Sequence, residues 1–577
     1  MNVAIEGLDL SRLRQKIGAG IVSESMLGQI PCLQIKREAL LETLRFLRED
    51  ADLRMHQLSD VTVLDRLHLG AGPGERFELL YLLHNLLTER RIAVKTTVPE
   101  SDPTVDSVAH LWESANWGER EAFDQYGVRF NGHPNLRRIL NHHEFVGHPL
   151  RKDYNIYKGQ WLSEADTLLD ELEARHRLFP ERRTRVEAEP GETMILNVGP
   201  SHPASHGTLR NLVELDGERI LYCIPEIGYL HRGFEKSAET HEYNQVIPYT
   251  DRLNYVSAIA NNVGYAKAIE ELCGIEVPPR CQAIRVILCE LSRIMDHLVC
   301  NGANIVDLGA LTNFWYLFNL REKIYTVIEG VTGARLTNSY TRVGGLWDDV
   351  TDDFVSQVKT ILVEIPKHVD DTLKLVARNR IFLDRTVGVA KISLDDAISY
   401  GFTGPCLRAC GLEHDIRKSQ PYYGYDQYDF EVISGHQGDT YDRIMVRFEE
   451  IKQSARIVAQ AIDRLPDGPY RSDHPLAVMP PKSETYGNIE GLVKHFKLVM
   501  HGISPPAGEV YSWTEAPNGE LGFYVVSDGG MKPYKCKVRP PCFYIYSAFP
   551  EMVEGELIAD AIAALGSLNV VAGELDR

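Results

Sequence analysis

Between residues 155 and 193 the chain turns polar and is closed off by prolines, and this stretch constrains what the rest can fold into. It holds one helix pattern, with Ser163 and Asp166 as a capping box ahead of Leu168, Leu169 and Leu172. Pro180, the cluster Arg182, Arg183 and Arg185, and Pro190 follow. A charged segment of this kind buries no core of its own, so the apolar residues on its two sides must collapse separately. The expectation is a domain at 1–155, a linker with one helix at 156–193, and a second domain at 194–577. The length, 577 residues, suffices for both.

Ahead of the linker, helical patterns at 37–48 and 76–88 alternate with strand-like runs such as Arg91-Ile-Ala-Val-Lys-Thr-Thr-Val98, which predicts a small α+β domain. Beyond it, residues 194–197 and 220–224 read as strands, and helical patterns dominate 255–380 and 440–465. Gly522-Phe-Tyr-Val-Val-Ser527 reads as a strand again. Ile284, Ile287, Leu288, Leu291, Met295 and Leu298 recur at helical spacing and form one core face, with Gly302 as a stop signal. The fold class is therefore α+β: a small N-terminal α+β domain, then a mainly helical domain with peripheral β-sheet.

A formal charge of −19 argues against nucleic-acid binding, which rests on cations that neutralise phosphates. Glu6, Asp9, Arg12, Arg14 and Lys16 leave no apolar signal-peptide core near the start, so export is not expected. No apolar run reaches about 18 residues, so membrane association is expected to come through partners. The ten cysteines never form C-x-x-C, and reduced, buried thiols are the simplest reading.

Three stretches could carry chemistry. In the run from Leu196 to Arg210, His202 and His206 stand four apart, but Gly199, Pro200, Pro203 and Gly207 make the segment a constrained loop rather than a zinc-binding helix. Such a loop either presents imidazoles to a substrate or is a structural turn, and the pattern alone favours the turn. The second stretch runs from Glu119-Arg-Glu-Ala-Phe-Asp-Gln-Tyr-Gly127 to Tyr154. Its His133, His142, His143 and His148 lie among Arg137, Arg138, Arg151 and Lys152, which would repel a cation, so a polar protein interface is expected. The third joins Arg252-Leu-Asn-Tyr-Val-Ser257 with Asp307, an acid within an apolar run that needs a partner.

Taken together, these residues resemble the C and D subunits of proton-pumping NADH-quinone oxidoreductase, respiratory complex I, fused in one chain. Glu119 to Gly127 matches the C-subunit signature and residues 196–210 the D-subunit signature. Further D-like runs are Ile227-Gly-Tyr-Leu-His-Arg-Gly-Phe-Glu-Lys236, Arg342-Val-Gly-Gly345, Asp415-Ile-Arg-Lys418, Gly519-Glu-Leu-Gly522, Ser527-Asp-Gly-Gly530 and Leu575-Asp-Arg577. The D subunit is related to the [NiFe] hydrogenase large subunit, whose two C-x-x-C pairs would fall at Asn254 and Ser257 and within residues 566–577. Neither position carries a cysteine, and nickel needs the thiolates.

The resemblance implies a hydrogenase-large-subunit-like second domain whose ancestral metal cavity has become a quinone head-group site. His206 and Tyr255 match the pair that hydrogen-bonds the quinone carbonyls, Asp307 the acid behind the histidine, and His202 a second loop histidine. Arg252 matches the arginine beside a [4Fe–4S] cluster of a neighbouring subunit. Thr337 and Asn338 stand where many members carry a histidine near that cluster. The resemblance further implies no metal or cofactor held by this chain, quinone as substrate, and FMN and [4Fe–4S] clusters in partners. Those partners are the cluster-bearing B- and I-type subunits, the G-type subunit and the membrane-arm H-type subunit, at the cytoplasmic side of the bacterial inner membrane. Electron supply by ferredoxin, a hydrogenase large subunit and a pure scaffold are the competing readings.

Overall fold

The computed structural model describes residues 10–70, 75–161, 193–205 and 207–577. The linker and its expected helix at Ser163 and Asp166 lie almost wholly outside the described residues, and so does His206.

The N-terminal part is a mixed five-stranded sheet. Its strands run in the order Ile21–Leu27, Ile30–Ile35, Arg90–Val98, Phe77–Asn85 and Gln57–Asp65. Ile30–Ile35 and Arg90–Val98 pair in parallel and the other neighbours are antiparallel. The expected helix within 37–48 is present as Leu40–Glu49, and it buries Leu40, Leu44 and Leu47.

The helix expected at 76–88 is instead the strand Phe77–Asn85, buried along its whole length. Its odd positions Phe77, Leu79, Tyr81 and Leu83 enter the N-terminal core. Leu80 and Leu82 face the other way and pack with Tyr511, Tyr524 and Val526 of the C-terminal part. A strand covered on both faces loses its polar alternation, and continuous apolar sequence then imitates a helix.

The C-terminal part is built on the helix Pro279–Asp307, which packs against the helices Ala258–Cys273, Leu311–Thr332 and Thr440–Asp463. Ile284, Ile287, Leu288, Leu291, Met295 and Leu298 all belong to the largest apolar cluster, as their spacing predicts. Gly302 does not stop this helix. A Cβ there would lie 3.3 Å from the ring of Phe318, so the glycine allows the next helix to approach closely.

Two three-stranded antiparallel sheets flank the helices. One is Met194–Val198, Arg210–Asp216 and Arg219–Glu226, and the other is Gly508–Ala516, Gly519–Ser527 and Lys535–Arg539. The second sheet packs on the helix Ala258–Cys273 and also supplies the face that meets the N-terminal sheet. The architecture is thus mixed α+β. No helix among the described residues is long and apolar enough to cross a membrane.

The two parts meet through buried polar pairs as well as apolar faces. Arg91 makes a two-pronged contact with Glu520 at 2.9 and 2.7 Å. Tyr544 donates to Asp60 at 2.6 Å, and the guanidinium of Arg539 donates to the carbonyl of Ser59 at 3.1 Å.

Candidate functional site

The segment carrying Arg252 and Tyr255 descends from the helix Tyr243–Thr250 and enters a short turn, Tyr255–Ser257, before the helix Ala258–Cys273 begins. Asn254 holds this turn: its Oδ1 accepts from the Val256 amide at 3.1 Å and its Nδ2 donates to Asp296 at 2.8 Å. Asp251, one step before Arg252, accepts from Asn262 at 2.7 Å and from the hydroxyl of Ser339. The backbone around Tyr255 is therefore pinned by buried amides and carboxylates.

Against this turn lies the C-terminal helix Ala572–Asp576. A Cβ on Gly573 would sit 2.6 Å from the Arg252 carbonyl oxygen, 2.7 Å from that of Leu253 and 3.2 Å from the ring of Tyr255. Only glycine permits that approach. On the same helix Ala572 faces Gly207, where a Cβ would come within 3.3 Å of it. One short helix thus touches both the Tyr255 turn and the end of the loop that carries the histidines.

That loop leaves the strand Met194–Val198 through Gly199, where φ is +98° and a Cβ would collide with the Leu209 carbonyl oxygen at 1.7 Å. Its turn Pro203–Ser205 is closed by the Ser205 hydroxyl, which hydrogen-bonds the carbonyl oxygens of His202 and Gly207, each at 2.7 Å. His202 is exposed.

The run from Ile227 to Lys236 fastens the C-terminal helix from outside. The Leu230 amide donates to Asp576 at 2.8 Å, the His231 ring meets the Asp576 carbonyl at 2.7 Å, and Arg232 donates to the Gly573 carbonyl at 2.9 Å. Burial, with Arg252 close by, lowers the Arg232 pKa, while Asp576 and Tyr255 act in the opposite sense. Arg232 therefore acts on both Arg252 and the tyrosine.

Tyr255 is half-buried, and its hydroxyl makes no hydrogen bond among the described residues. Burial raises its pKa above the ordinary 10, Cys542 and Asp296 add to this, and Arg232 opposes it. At neutral pH the phenol keeps its proton and can donate it. Arg252 is exposed and donates to the Pro248 carbonyl at 2.6 Å.

The structure thus brings the histidine loop, Tyr255 and Arg252 onto one C-terminal helix. Asp307 falls elsewhere than its apolar sequence suggests: it is the last residue of Pro279–Asp307 and is exposed. The carboxylate of that helix which reaches the Tyr255 turn is Asp296, eleven residues earlier and about 16 Å away along the axis, on the same face. Asn304, one turn before Asp307, donates to the Ala563 carbonyl at 2.8 Å in the helix Ile558–Leu568, which also packs on Pro203–Ser205.

Two residues of the site, Arg232 and Asp296, are not legible from sequence pattern. Arg232 lies within the D-like run at 227–236, but its role depends on the last helix, 341 residues further on. Asp296 reads as an ordinary polar position on an amphipathic helix.

In the second stretch, Glu119, Glu121 and Asp124 of the helix Ser114–Tyr126 all turn inward. Glu119 accepts from Ser107 and the Val108 amide, and burial pushes its pKa up to about 8. Glu121 pairs with Lys537 and with Arg577, the latter at 3.1 Å. Asp124 accepts from Arg138 and from the amides of Leu140 and Asn141. His133 and His148 rest on the carbonyls of Asn116 and Asp124, while His142 stands partly exposed and His143 exposed beside Glu144.

Comparison with known proteins places both halves of this architecture in respiratory-chain NADH dehydrogenase. Residues 33–160 match the family described as its 30 Kd subunit and residues 307–577 the family described as its 49 Kd subunit. Relatives in which the two are fused match along nearly their whole length. The C/D subunit of NADH-quinone oxidoreductase from Bdellovibrio bacteriovorus is 49% identical over 550 residues, 94% of this chain and 95% of the relative. The protein of the same name from Acidiphilium cryptum is 41% identical over 556 residues, covering 95% and 94%. That from Psychrobacter arcticus is 39% identical over 573 residues, covering 98% and 97%. The chain belongs to the family of fused C/D subunits of NADH-quinone oxidoreductase, complex I.

Proposed function

We propose that this chain is a peripheral-arm subunit of a proton-translocating NADH:quinone oxidoreductase and forms one wall of the quinone head-group site. The uncommitted, half-buried hydroxyl of Tyr255, fixed beside the C-terminal helix and close to Arg232, carries this reading. Reduction of a quinone places negative charge on both carbonyl oxygens, so donors aimed in advance at those oxygens stabilise the product as it forms.

Tyr255 donates to one oxygen and His206 to the other. Asp307 serves as the acid partner that favours the protonated form of His206, and His202 belongs to the same loop. Arg252 holds positive charge near a [4Fe–4S] cluster of a neighbouring subunit, which makes that cluster a better electron acceptor. FMN and the clusters reside in partners of the B, I and G types, and a membrane-arm partner of the H type meets the chain at the cytoplasmic side of the inner membrane. Residues 1–155 act as the scaffold domain and 194–577 as the quinone-site domain, joined at 156–193.

Exposed apolar side chains support assembly with partners. Trp315 is 63% exposed, and Ile489 and Phe496 project from the helix Ile489–His501 at 76% and 58% exposure. Tyr255→Phe in the assembled complex is expected to slow quinone reduction by about 100-fold or more while leaving NADH:ferricyanide electron entry unchanged. Unchanged quinone turnover would remove Tyr255 from the site.

A further inference from the structure

Away from the site, three side chains from both parts of the chain converge at their junction. His84 lies on the strand Phe77–Asn85, Glu89 stands just before the strand Arg90–Val98, and His414 lies between the helices Gly404–Ala409 and Ile416–Ser419. The Nε2 atoms of His84 and His414 face the same Glu89 oxygen, Oε2, at 3.5 and 3.3 Å. All three donor atoms lie within 4.8 Å of one another. His414 is 325 residues from Glu89, so no motif spacing could have announced the set.

His84 is wholly buried, yet neither of its ring nitrogens has a hydrogen-bond partner among the described residues, and the Nδ1 of His414 also lacks one. A buried polar atom without a partner is costly, and an ion coordinated on the Glu89 side would satisfy the Nε2 of His84. The separations themselves are informative. They exceed the roughly 2.7–3.2 Å of a good hydrogen bond. Zinc bonds of about 2.0–2.2 Å in a tetrahedron set neighbouring donor atoms about 3.3–3.6 Å apart.

The surroundings do not repel a cation. Arg91 is nearby, but Glu520 neutralises it through both carboxylate oxygens, which leaves the Glu89 charge facing the imidazoles. Gln420 donates to the Glu89 carbonyl at 2.9 Å and steadies the carboxylate-bearing turn. Glu89 also lines a cavity of about 520 Å³ between the two parts, bordered by Arg91, Gln420 and Trp513, through which water and a hydrated ion can reach it.

We propose that His84, Glu89 and His414 bind a divalent cation of the zinc type, with water from this cavity as fourth ligand, and that the ion fastens the N-terminal part to the C-terminal part. Two imidazoles and one carboxylate suit zinc or cobalt and disfavour magnesium and calcium, which take oxygen ligands.

The test is titration of the chelator-stripped full chain with Co2+, a visible stand-in for Zn2+, followed by displacement with Zn2+. The expected result is one saturable equivalent with a tetrahedral Co2+ absorption band. Glu89→Gln and His414→Gln should each weaken binding by more than about tenfold, whereas His142→Ala, in the partly exposed cluster with His143 and Glu144, should leave it unchanged. Circular dichroism of the stripped variants separates lost ligation from lost folding. Absence of a saturable band, or affinities equal in wild type and both ligand variants, would overturn the proposal.

Discussion

The junction between the two parts and the wall around Tyr255 are both polar, and they use polarity in opposite ways. At the junction, Glu121 holds Lys537 and Arg577, Arg91 holds Glu520, and Asp60 accepts from Tyr544, all out of solvent. At the wall, the Tyr255 hydroxyl has no hydrogen-bond partner among the described residues, and Arg252 and His202 are exposed. Groups paired out of solvent inside one chain fix its shape. Donors turned outward on one face can meet another molecule. The two regions are also connected, because Arg577, which Glu121 holds, is the last residue of the chain and directly follows the helix on which the Tyr255 turn rests.

The sharpest way to break the comparison, after Tyr255→Phe, is to spoil the junction while sparing the wall. Glu121→Gln leaves Lys537 and Arg577 buried with their shared carboxylate gone. Removal of one member of a buried pair costs about 3–5 kcal/mol, and the measurement is the urea midpoint of the full chain. A loss well under about 1 kcal/mol would mean that the junction is held by its apolar faces alone. If the connection through Arg577 matters, the same variant in the complex lowers quinone turnover without altering ferricyanide reduction.

A smaller effect comes with pH, and its sign differs between carboxylates. Burial opposes ionisation of Glu121, but Arg577 and Lys537 outweigh it and hold the pKa at about 2. Burial is likewise outweighed at Glu290 by Arg293 and Arg417, and at Glu450 by Arg408 and His297, each again at about 2. These folded-state values lie below the ordinary 4.5, so the stability they contribute is present above pH 4.5 and is lost as pH falls from there towards 2. Glu119 works the other way. Its folded value of about 8 lies above 4.5, so its contribution is complete below pH 4.5 and is lost as pH rises through 8. Glu119→Gln should flatten the decline in urea midpoint between pH 4.5 and 8 and leave the acid limb in place. An unchanged alkaline limb would show that other groups set it.

Much of this arrangement is legible in the sequence where short-range pattern decides it. The core face from Ile284 to Leu298 and the constrained loop around His202 follow from spacing and from proline and glycine positions. What the sequence conceals is set by long-range partners. Phe77–Asn85 reads as a helix because a second sheet covers the face that a two-layer domain would leave polar. Gly302 reads as a terminus because its purpose is the nearness of Phe318 on the next helix. Asp307 sits in an apolar run but on the last turn of a helix, where the side chain escapes the core. Arg232 and Asp296 acquire meaning only when residues from the far end of the chain or from an earlier segment are laid beside them.

The smallest effect on the chain itself is expected on the face that neither region uses. Phe496 lies on Ile489–His501, whose Leu492, Val493, Val499 and Met500 are exposed with it, so replacing it with aspartate removes no buried contact. Phe496→Asp should leave the urea midpoint of the full chain within about 0.5 kcal/mol of wild type. An apolar face of this extent is nonetheless costly to leave in water, and a charge placed on it must be desolvated when a partner covers it. The same substitution should therefore lower the amount of chain recovered in the assembled complex. A stability loss without an assembly defect would assign this helix to the chain's own core; an assembly defect at unchanged stability would extend the logic of the wall to a second face.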